Sequence, residues 1–395
     1  MKRLILLIFS ASLLFTSIST AAPTLIPVKE LKLVATVGNT DEINGVLATG
    51  TSIIVYGTKR EKSYARAINF LGEEQWTIDL DPQLQSIATT ASLDSAGNIW
   101  IAGSISQSIQ TPTPTPNTTP LNPDKVSPVS DDLDTSLRNI ALWRIEPNSH
   151  VVTTYVLNSE EPVLITSLAV DKSGVTLAGI ASTEKGNAGF VVSGNLSGEF
   201  EKPLMIGNTS TTLDSVVRHS DGSLTVVGSS SEVLNGKKLV GISDGIIVKI
   251  SKAGKVVSLV RSSAVKASRN WNSASSSLLL GGEIISPDKI ESAVTKFSSS
   301  FAPQWNYRFA STGQAFTSGS SFAFFASTGQ IPQLAKWKPK SARPIVLTFD
   351  SKGVITAASS APSDQREALG LVISKTLGVL CVSASSETIS IFSLK

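Results

Sequence analysis

The stretch Ala91-Ser-Leu-Asp94-Ser-Ala-Gly97-Asn-Ile-Trp100-Ile-Ala-Gly103 decides the fold of this chain. An apolar run leads into a short polar segment with a glycine, and a second apolar run follows, which is typical of a β-hairpin with a tight turn. The pattern returns at 169–179 and 217–228, and weaker copies lie at 46–57, 269–282, 315–326 and 371–382. Seven hairpins of one kind indicate a repeat protein.

A second predicted hairpin follows each copy of the first. Six of these are complete, at 66–78, 140–155, 190–206, 246–260, 293–309 and 345–357. The seventh is a lone strand at 388–394, and residues 31–37 form a strand with no hairpin partner of its own. Pairing these two strands completes a seventh unit and closes a ring. The sequence therefore predicts an all-β fold, a single β-propeller of about seven four-stranded blades.

Two units carry a family resemblance. Asp94-x-x-Gly97-Asn98-Ile99-Trp100 and Ser243-Asp244-Gly245-Ile-Ile-Val-Lys249 resemble the two halves of the bacterial β-propeller repeat of the SBBP type. That repeat has an Asp-x-x-Gly-Asn hairpin followed by an Asp-Ala-Phe-x-x-Lys strand. The last three units depart from it, with serine runs in place of Asp and Gly. The resemblance implies a propeller in an extracytoplasmic setting, with structural turn roles for Asp94, Asp171 and Asp244.

The first 21 residues predict a secretory signal peptide. Lys2 and Arg3 precede an apolar core at 4–15, and small residues lead to an expected cut after Ala21. The core is shorter than the ~20 residues that span a bilayer, although an uncleaved anchor is the alternative. We expect residues 22–395 to form the propeller domain, released to the extracellular or periplasmic space without stable membrane insertion.

Composition excludes several classes of site. A single cysteine, Cys381, allows no internal disulfide, and two histidines, His150 and His219, leave little material for a zinc site. Loss of Lys2 and Arg3 with the leader lowers the formal net charge from +3 to +1. We therefore expect no metal, no cofactor and no nucleic-acid partner. Cys381 is predicted to be a buried hydrophobe and both histidines to be exposed turn residues.

Residues 107–139 depart most clearly from the repeat. Their Pro/Thr-rich composition cannot pack a core, so we predict a disordered insertion within blade two. It joins the second and third strands of its unit, as do the long connections 229–243 and 327–343. In a propeller such connections emerge on one face, together with the links between blades. Function in repeat folds usually lies in such loops.

Two of these loops are basic, and 336–343 surrounds one tryptophan with cationic residues. The candidate binding residues are Lys336, Trp337, Lys338, Lys340, Arg343, Lys237 and Lys238. A loop of this kind suits an anionic glycan, a cell-wall polymer or a lipid headgroup. The alternative is a solvated loop with a half-buried tryptophan.

No catalytic constellation is evident in the sequence. It favours a secreted, non-enzymatic, monomeric propeller that binds a protein or glycan through its loop-rich face. The competing hypothesis is a propeller-type polysaccharide hydrolase or lyase with its site at the channel mouth. A quinone-cofactor dehydrogenase is disfavoured, because matching tryptophans recur only at Trp76 and Trp305. Charged side chains at one channel mouth would favour the enzyme hypothesis. A channel lined by Ser, Ala and Val would favour the binding hypothesis.

Overall fold

A computed structural model of the protein describes residues 25–106 and 137–394. The predicted signal peptide and residues 107–136 of the predicted insertion lie outside the described residues. Asn139, predicted as the last residue of the insertion, is instead the first residue of a strand and is buried.

The described residues form 29 β-strands, which we number in chain order. Two strands precede the first blade, β1 (Val28–Glu30) and β2 (Lys32–Gly38). Blades one to three contain β3 (Ile43–Ala48), β4 (Ser52–Lys59), β5 (Lys62–Asn69), β6 (Glu74–Asp79), β7 (Ser86–Leu93), β8 (Ile99–Ile105), β9 (Asn139–Ile145), β10 (Val152–Leu157), β11 (Val163–Asp171), β12 (Gly174–Thr183), β13 (Gly186–Gly194) and β14 (Leu204–Ile206). Blades four to seven contain β15 (Thr211–Arg218), β16 (Leu224–Ser230), β17 (Asp244–Ile250), β18 (Val256–Ser262), β19 (Ser268–Ala274), β20 (Leu279–Ser286), β21 (Lys289–Phe297), β22 (Pro303–Ala310), β23 (Phe316–Ser318), β24 (Phe322–Ser327), β25 (Arg343–Phe349), β26 (Ile355–Ser360), β27 (Glu367–Ser374), β28 (Gly378–Ala384) and β29 (Ile389–Ser393).

Seven β-sheets form a ring, each with four antiparallel strands, and this confirms the predicted β-propeller. In the first six blades, four consecutive strands pair in chain order. In blade seven the order is β27, β28, β29 and then β2, so the N-terminal strand completes the C-terminal blade. Lys32 lies opposite Ser393 and Thr36 opposite Ser390 in this pairing. The predicted closure of the ring by residues 31–37 and 388–394 is consistent with this register.

One strand is not predicted from the sequence. β1 runs parallel to β26, which makes it a fifth strand of blade six, with Val28 opposite Ala358. Just before it, the Ile26 amide donates to the Gln333 carbonyl (3.0 Å), and the Ala335 amide donates to the Ile26 carbonyl (2.8 Å). The segment that leads into β2 therefore binds blade six before it completes blade seven.

The core lies between neighbouring blades. The second and third strands of a blade are buried on both faces, as in β8 and β17, which explains their nearly unbroken apolar sequences. Outer strands such as β22 alternate between exposed and half-buried residues. Trp100, Trp143 and Trp271 are fully buried in these layers.

A bulge and a facing glycine explain the most regular feature of the repeat. The innermost strand of six blades has a β-bulge, at Asn44, Thr89, Thr166, Asp214, Asn272 and Leu369. In blades one to five a glycine on the second strand faces the bulge, namely Gly57, Gly103, Gly179, Gly228 and Gly282. A Cβ atom at these positions would lie only 1.7–2.1 Å from a backbone carbonyl oxygen. In blades one to five, the glycine that ends the first hairpin motif is thus required by close backbone approach.

Candidate functional site

Two long second-to-third connections lie within the described residues, 231–243 in blade four and 328–342 in blade six. Adjacent strands in each blade are antiparallel, so these connections leave the sheet at the same end as the links between blades. Both connections therefore lie on one face of the propeller, which is the face that the sequence predicts to be rich in loops.

The blade-six loop does not expose its tryptophan. The Trp337 side chain is only 6% exposed and packs in an apolar cluster with Phe325 and Leu334. Its indole Nε1 donates to Ser327 Oγ (3.2 Å), and the Arg343 guanidinium lies 5.7 Å above the ring. The Trp337 ring is therefore not exposed on the loop surface, and its part in binding stays a prediction.

The basic residues of the same loop divide into two groups. Arg343 is half-buried, and its Nε donates to the Ala361 carbonyl (2.7 Å), so it fixes the loop rather than reaching solvent. Lys336, Lys338 and Lys340 are exposed. The loop turns inward because residues 333 and 335 pair with Ile26 from the far end of the chain, which local sequence cannot reveal.

The blade-four loop presents apolar side chains instead. Val233, Val240 and Ile242 are 62%, 64% and 57% exposed, and Val265 in the adjoining link to blade five is 77% exposed. The Ile242 amide donates to the Ala267 carbonyl (2.9 Å), which joins the loop to that link. We call Val233, Val240, Ile242 and Val265 the blade-four patch. The sequence pattern predicts Lys237 and Lys238 as binding residues of this loop but does not single out its aliphatic side chains.

A buried aspartate holds this loop in place. The Asp244 side chain is fully buried, and its carboxylate accepts hydrogen bonds from the amides of Gly241 (2.9 Å) and Val240 (3.1 Å). The Arg261 guanidinium forms an ion pair with it at 3.2 Å. Burial alone would raise the pKa of Asp244, but the hydrogen bonds and Arg261 together lower it. The patch therefore rests on an ionised, hydrogen-bonded support.

Lysines border the blade-four patch. Lys237 Nζ donates to the Leu259 carbonyl (2.5 Å), whereas Lys238 and Lys266 are exposed and have no ion pair within the described residues. The nearest loop acid, Glu232, accepts hydrogen bonds from the amides of residues 208–210 and from Thr211. Burial opposes ionisation of Glu232, but these bonds lower its pKa to about 2. Its charge is thus engaged on the side of blade three.

The turn aspartates implied by the family resemblance stabilise their own hairpins. Asp94 accepts hydrogen bonds from the amides of Ala96 and Asn98, both at 2.9 Å, and from Trp100 Nε1 at 3.0 Å. Asp171 forms an ion pair with Arg218 at 3.0 Å, between blades three and four. Both carboxylates are engaged in hydrogen bonds or ion pairs within the fold, in keeping with the structural role that the resemblance implies.

Both histidines lie at turns, as predicted, but they are half-buried rather than exposed. His219 Nε2 lies 2.8 Å from Thr225 Oγ1, and burial lowers the pKa of His219. The His150 ring packs on Trp76 with centroids 4.9 Å apart. Cys381 is buried and free, as expected, and burial raises the pKa of its thiol.

Two partly buried carboxylates lie in neighbouring blades, one on the innermost strand of blade four and one on the second strand of blade five. Asp214 is the bulge residue of β15, and Glu283 lies opposite Asn270 on β20. Burial raises the pKa of Asp214 to about 6, opposed by hydrogen bonds from Asn270 and Thr212 and reinforced by the Glu283 charge. Burial also raises the pKa of Glu283. Raised pKa values are common among catalytic carboxylates, so these two acids are the charged feature closest to what the competing enzyme hypothesis requires.

Within residues 25–106 and 137–394, no group of three or more His, Cys, Asp or Glu residues is arranged to hold a metal ion. Over the same residues, the structure has no helix with the length and hydropathy needed to cross a bilayer.

Comparisons with known proteins support no assignment to a family. No family model matches the chain, and no curated protein matches it. Membership of the SBBP-type repeat family therefore stays a prediction. Among solved structures, an uncharacterized protein from Listeria monocytogenes is similar at 12% identity and TM-score 0.47, covering 90% of this chain and 92% of that one. The WD40 domain of Toxoplasma gondii coronin is similar at 9% identity and TM-score 0.49, covering 93% and 88%.

Proposed function

We propose that the protein is a secreted, non-enzymatic β-propeller that binds a protein partner through the blade-four patch. The propeller fold in general supports a scaffold or binding role. The observation that carries the proposal is the patch itself, three exposed aliphatic side chains on a loop held by the buried Asp244 carboxylate and a fourth, Val265, on the adjoining link. Apolar residues that are exposed together and rimmed by polar ones mark interaction surfaces in soluble proteins.

The exposed side chains favour a protein over a glycan. Sugar rings are usually bound against flat aromatic faces, yet among the described residues the strongly exposed large apolar side chains are all aliphatic or methionine. Trp337, the one tryptophan predicted at the loop face, is buried. Aliphatic groups suit the apolar centre of a protein interface, which is desolvated as a whole.

The lysine border defines the chemistry of the partner. Lys238 and Lys266 adjoin the blade-four patch, and neither forms an ion pair with an acid in the part of the chain that the structure describes. A partner surface with an apolar centre and surrounding Asp or Glu side chains would complement both parts of the site. The charged rim would mainly set the association rate and its salt dependence. The apolar centre would mainly set the lifetime of the complex.

A matched pair of surface variants tests the proposal. Ile242→Asp places a charge in the patch, and Leu71→Asp places one at a more exposed position, 81% against 57%, in a third-to-fourth strand turn at the opposite end of the blades. The protein is immobilised and exposed to the secreted fraction of its own source, and any retained protein is then purified and titrated by calorimetry. We expect binding to the wild type and L71D and at least tenfold weaker binding to I242D. Equal binding to all three, or no purified partner that binds the wild type, would contradict the proposal.

Secretion has its own test. N-terminal sequencing of the exported protein is expected to begin at Ala22. Recovery only in the cytosol with Met1 retained would contradict the secreted assignment while leaving the binding surface untouched.

A second candidate function rests on Asp214 and Glu283, because polysaccharide hydrolases work with two carboxyl groups, of which the general acid has a raised pKa, and burial raises the pKa of both residues here. Release of reducing ends from soluble polysaccharides by the wild type, abolished in both Asp214→Asn and Glu283→Gln, would support the enzyme. Unchanged release in both variants, or none from the wild type, would leave the binder as the better account.

A further inference from the structure

Hydroxyl groups join neighbouring blades at the inner ends of three seams. Ser167 Oγ accepts a hydrogen bond from the Val216 amide (3.1 Å), and Ser215 Oγ accepts one from the Ala274 amide (3.2 Å). Ser273 Oγ accepts one from the Thr317 amide (3.0 Å). Each serine directly follows the bulge residue of its blade, so the bond recurs at one structural position of the repeat.

Blade one makes the same bond with a different residue. Gly45 follows its bulge, and a Cβ atom there would lie 2.2 Å from the Tyr56 hydroxyl. That hydroxyl is hydrogen-bonded to the backbone of Ala91, the position in blade two that matches Val216 in blade four. Gly45 therefore makes room for a tyrosine that replaces the serine.

Blade seven also has a glycine at the position of the serine, but within the described residues no tyrosine takes the place of the serine hydroxyl. Gly370 follows the bulge of β27, and the nearest atom to a Cβ built there is Val382 Cγ2 at 3.8 Å, an ordinary contact distance. The amide that matches Val216 across this seam is that of Val46. Among the described residues no side-chain oxygen bonds to it, so one N–H group faces the space that Gly370 leaves open.

A cavity of about 670 Å³ lies at this position; blades one and seven form most of its wall, and Ala91 of blade two and Phe316 of blade six complete it. Its wall is mainly aliphatic, with Val46, Leu47, Leu371 and Ile373 among the lining residues. Ile373 is 52% exposed, so the cavity is open to entry from solvent. Its volume falls within the roughly 300–1,000 Å³ of typical small-molecule sites, which are largely apolar with a few placed polar groups.

We propose that this cavity is a binding site for a neutral, largely apolar small molecule that carries one hydrogen-bond acceptor. The acceptor oxygen takes the place of the missing serine hydroxyl and receives the Val46 N–H, while the aliphatic wall takes the apolar body. Glu367 is the only ionisable side chain in the lining besides Tyr56, and no Lys, Arg or His is present there. An anionic ligand would thus meet a carboxylate with no compensating cation. This site is separate from the blade-four patch and does not depend on it.

Gly370→Ser tests the site by restoring the serine found in blades three to five. The new side chain fits at ordinary contact distance and supplies the hydroxyl that Val46 lacks, so the variant should fold. Nile red, a neutral apolar dye with a carbonyl acceptor, serves as the probe, and its fluorescence is titrated against the full mature protein. Gly50→Ser is the matched control, because Gly50 has open space around its Cβ position. Ile373→Glu is the second variant, and it places a charge in the wall.

We expect Nile red to bind the wild type and G50S at one site, and to bind G370S and I373E at least tenfold more weakly. The anionic dye 1-anilinonaphthalene-8-sulfonate should bind the wild type at least tenfold more weakly than Nile red does. Equal Nile red binding to the wild type and G370S, with G370S folded by circular dichroism, would overturn the assignment. Absence of stoichiometric binding to the wild type, or a preference for the anionic dye, would overturn it as well.

Discussion

The guanidinium of Arg261 lies 3.2 Å from the carboxylate of Asp244, and the two side chains are 6% and 0% exposed. The same guanidinium donates to the carbonyls of Ser230 (3.2 Å) and Glu232. The pair thus ties both ends of the blade-four loop to the outer strand β18. Asp244 belongs to the motif by which the sequence resembles a known repeat, so one residue serves the fold of the blade and the shape of its loop.

Asp244→Ala is expected to lower the free energy of unfolding by about 3 kcal/mol, because it leaves Arg261 buried without its counter-charge. Urea denaturation followed by fluorescence measures the loss, and hydrogen exchange should speed up at the Val240 and Gly241 amides. Lys59→Ala is the control, because its ion pair with Glu42 is exposed and should contribute under ~1 kcal/mol. Equal losses in the two variants would contradict the role of the buried pair.

Asp214→Asn should change how stability depends on pH. The pKa of Asp214 is raised from 3.8 to about 6 in the folded state, so folding favours the protonated form. The wild type therefore keeps this contribution below about pH 4 and loses it as the pH rises through 6. The neutral amide should make the variant more stable than the wild type at pH 8, by up to about 3 kcal/mol, and nearly equal at pH 4. Urea titrations at both pH values check this, and a constant difference would contradict it.

A disulfide across the closing strands should stabilise the ring. Thr36 and Ser390 lie directly opposite each other on β2 and β29, and their hydroxyl oxygens are 3.3 Å apart. Cα atoms of such pairs are about 4.5–5.5 Å apart, which suits a disulfide. The oxidised double variant Thr36→Cys with Ser390→Cys is expected to gain about 2–4 kcal/mol in the free energy of unfolding, measured as a higher melting temperature than in the reduced variant.

Deletion of residues 31–37 should lower the melting temperature sharply, and an unchanged melting temperature would contradict closure of the ring by this strand.

Two glycine variants test whether close backbone approach decides which glycines can be replaced by alanine. Gly228→Ala places a Cβ 2.1 Å from the Thr212 carbonyl oxygen and should cost about 3 kcal/mol of stability. Gly370→Ala meets nothing closer than 3.8 Å and should be nearly neutral. Thermal melts of the two proteins side by side test the difference, and similar melting temperatures would contradict the role assigned to the bulge-facing glycines.

The ring could be predicted from the sequence because each blade repeats a local signal. Within one hairpin, an apolar run such as β8 or β17 and the turn residues beside it lie within a dozen positions of one another. The closing pair was predictable by elimination, because strands 31–37 and 388–394 each lacked a partner. Trp76 and Trp305 likewise occupy matching outer strands, as their spacing predicted.

The candidate site was much less predictable, because its shape depends on pairings between distant residues. The inward turn of Trp337 follows from the contact of its loop with Ile26. The outward turn of Val240 and Ile242 follows from bonds to Asp244 and to the link at Ala267. A valine in a polar loop has the same local sequence whether it is buried or exposed. Likewise, Gly45 and Gly370 occupy one position of the repeat, and only the structure shows Tyr56 beside the first.

The position of β2 in blade seven determines when the molecule can be completed. β2 is made before blade one, but its antiparallel partner β29 is made after all the other described strands. Until Ile389 to Ser393 is available, the earlier blades form an open arc whose two terminal faces have no neighbour to cover them. A nascent or translocating chain would carry these unpaired edges throughout its synthesis, when strand edges are most prone to aggregate. Protection of the arc by a chaperone, rather than the stability of the finished ring, would then limit how much of the protein accumulates.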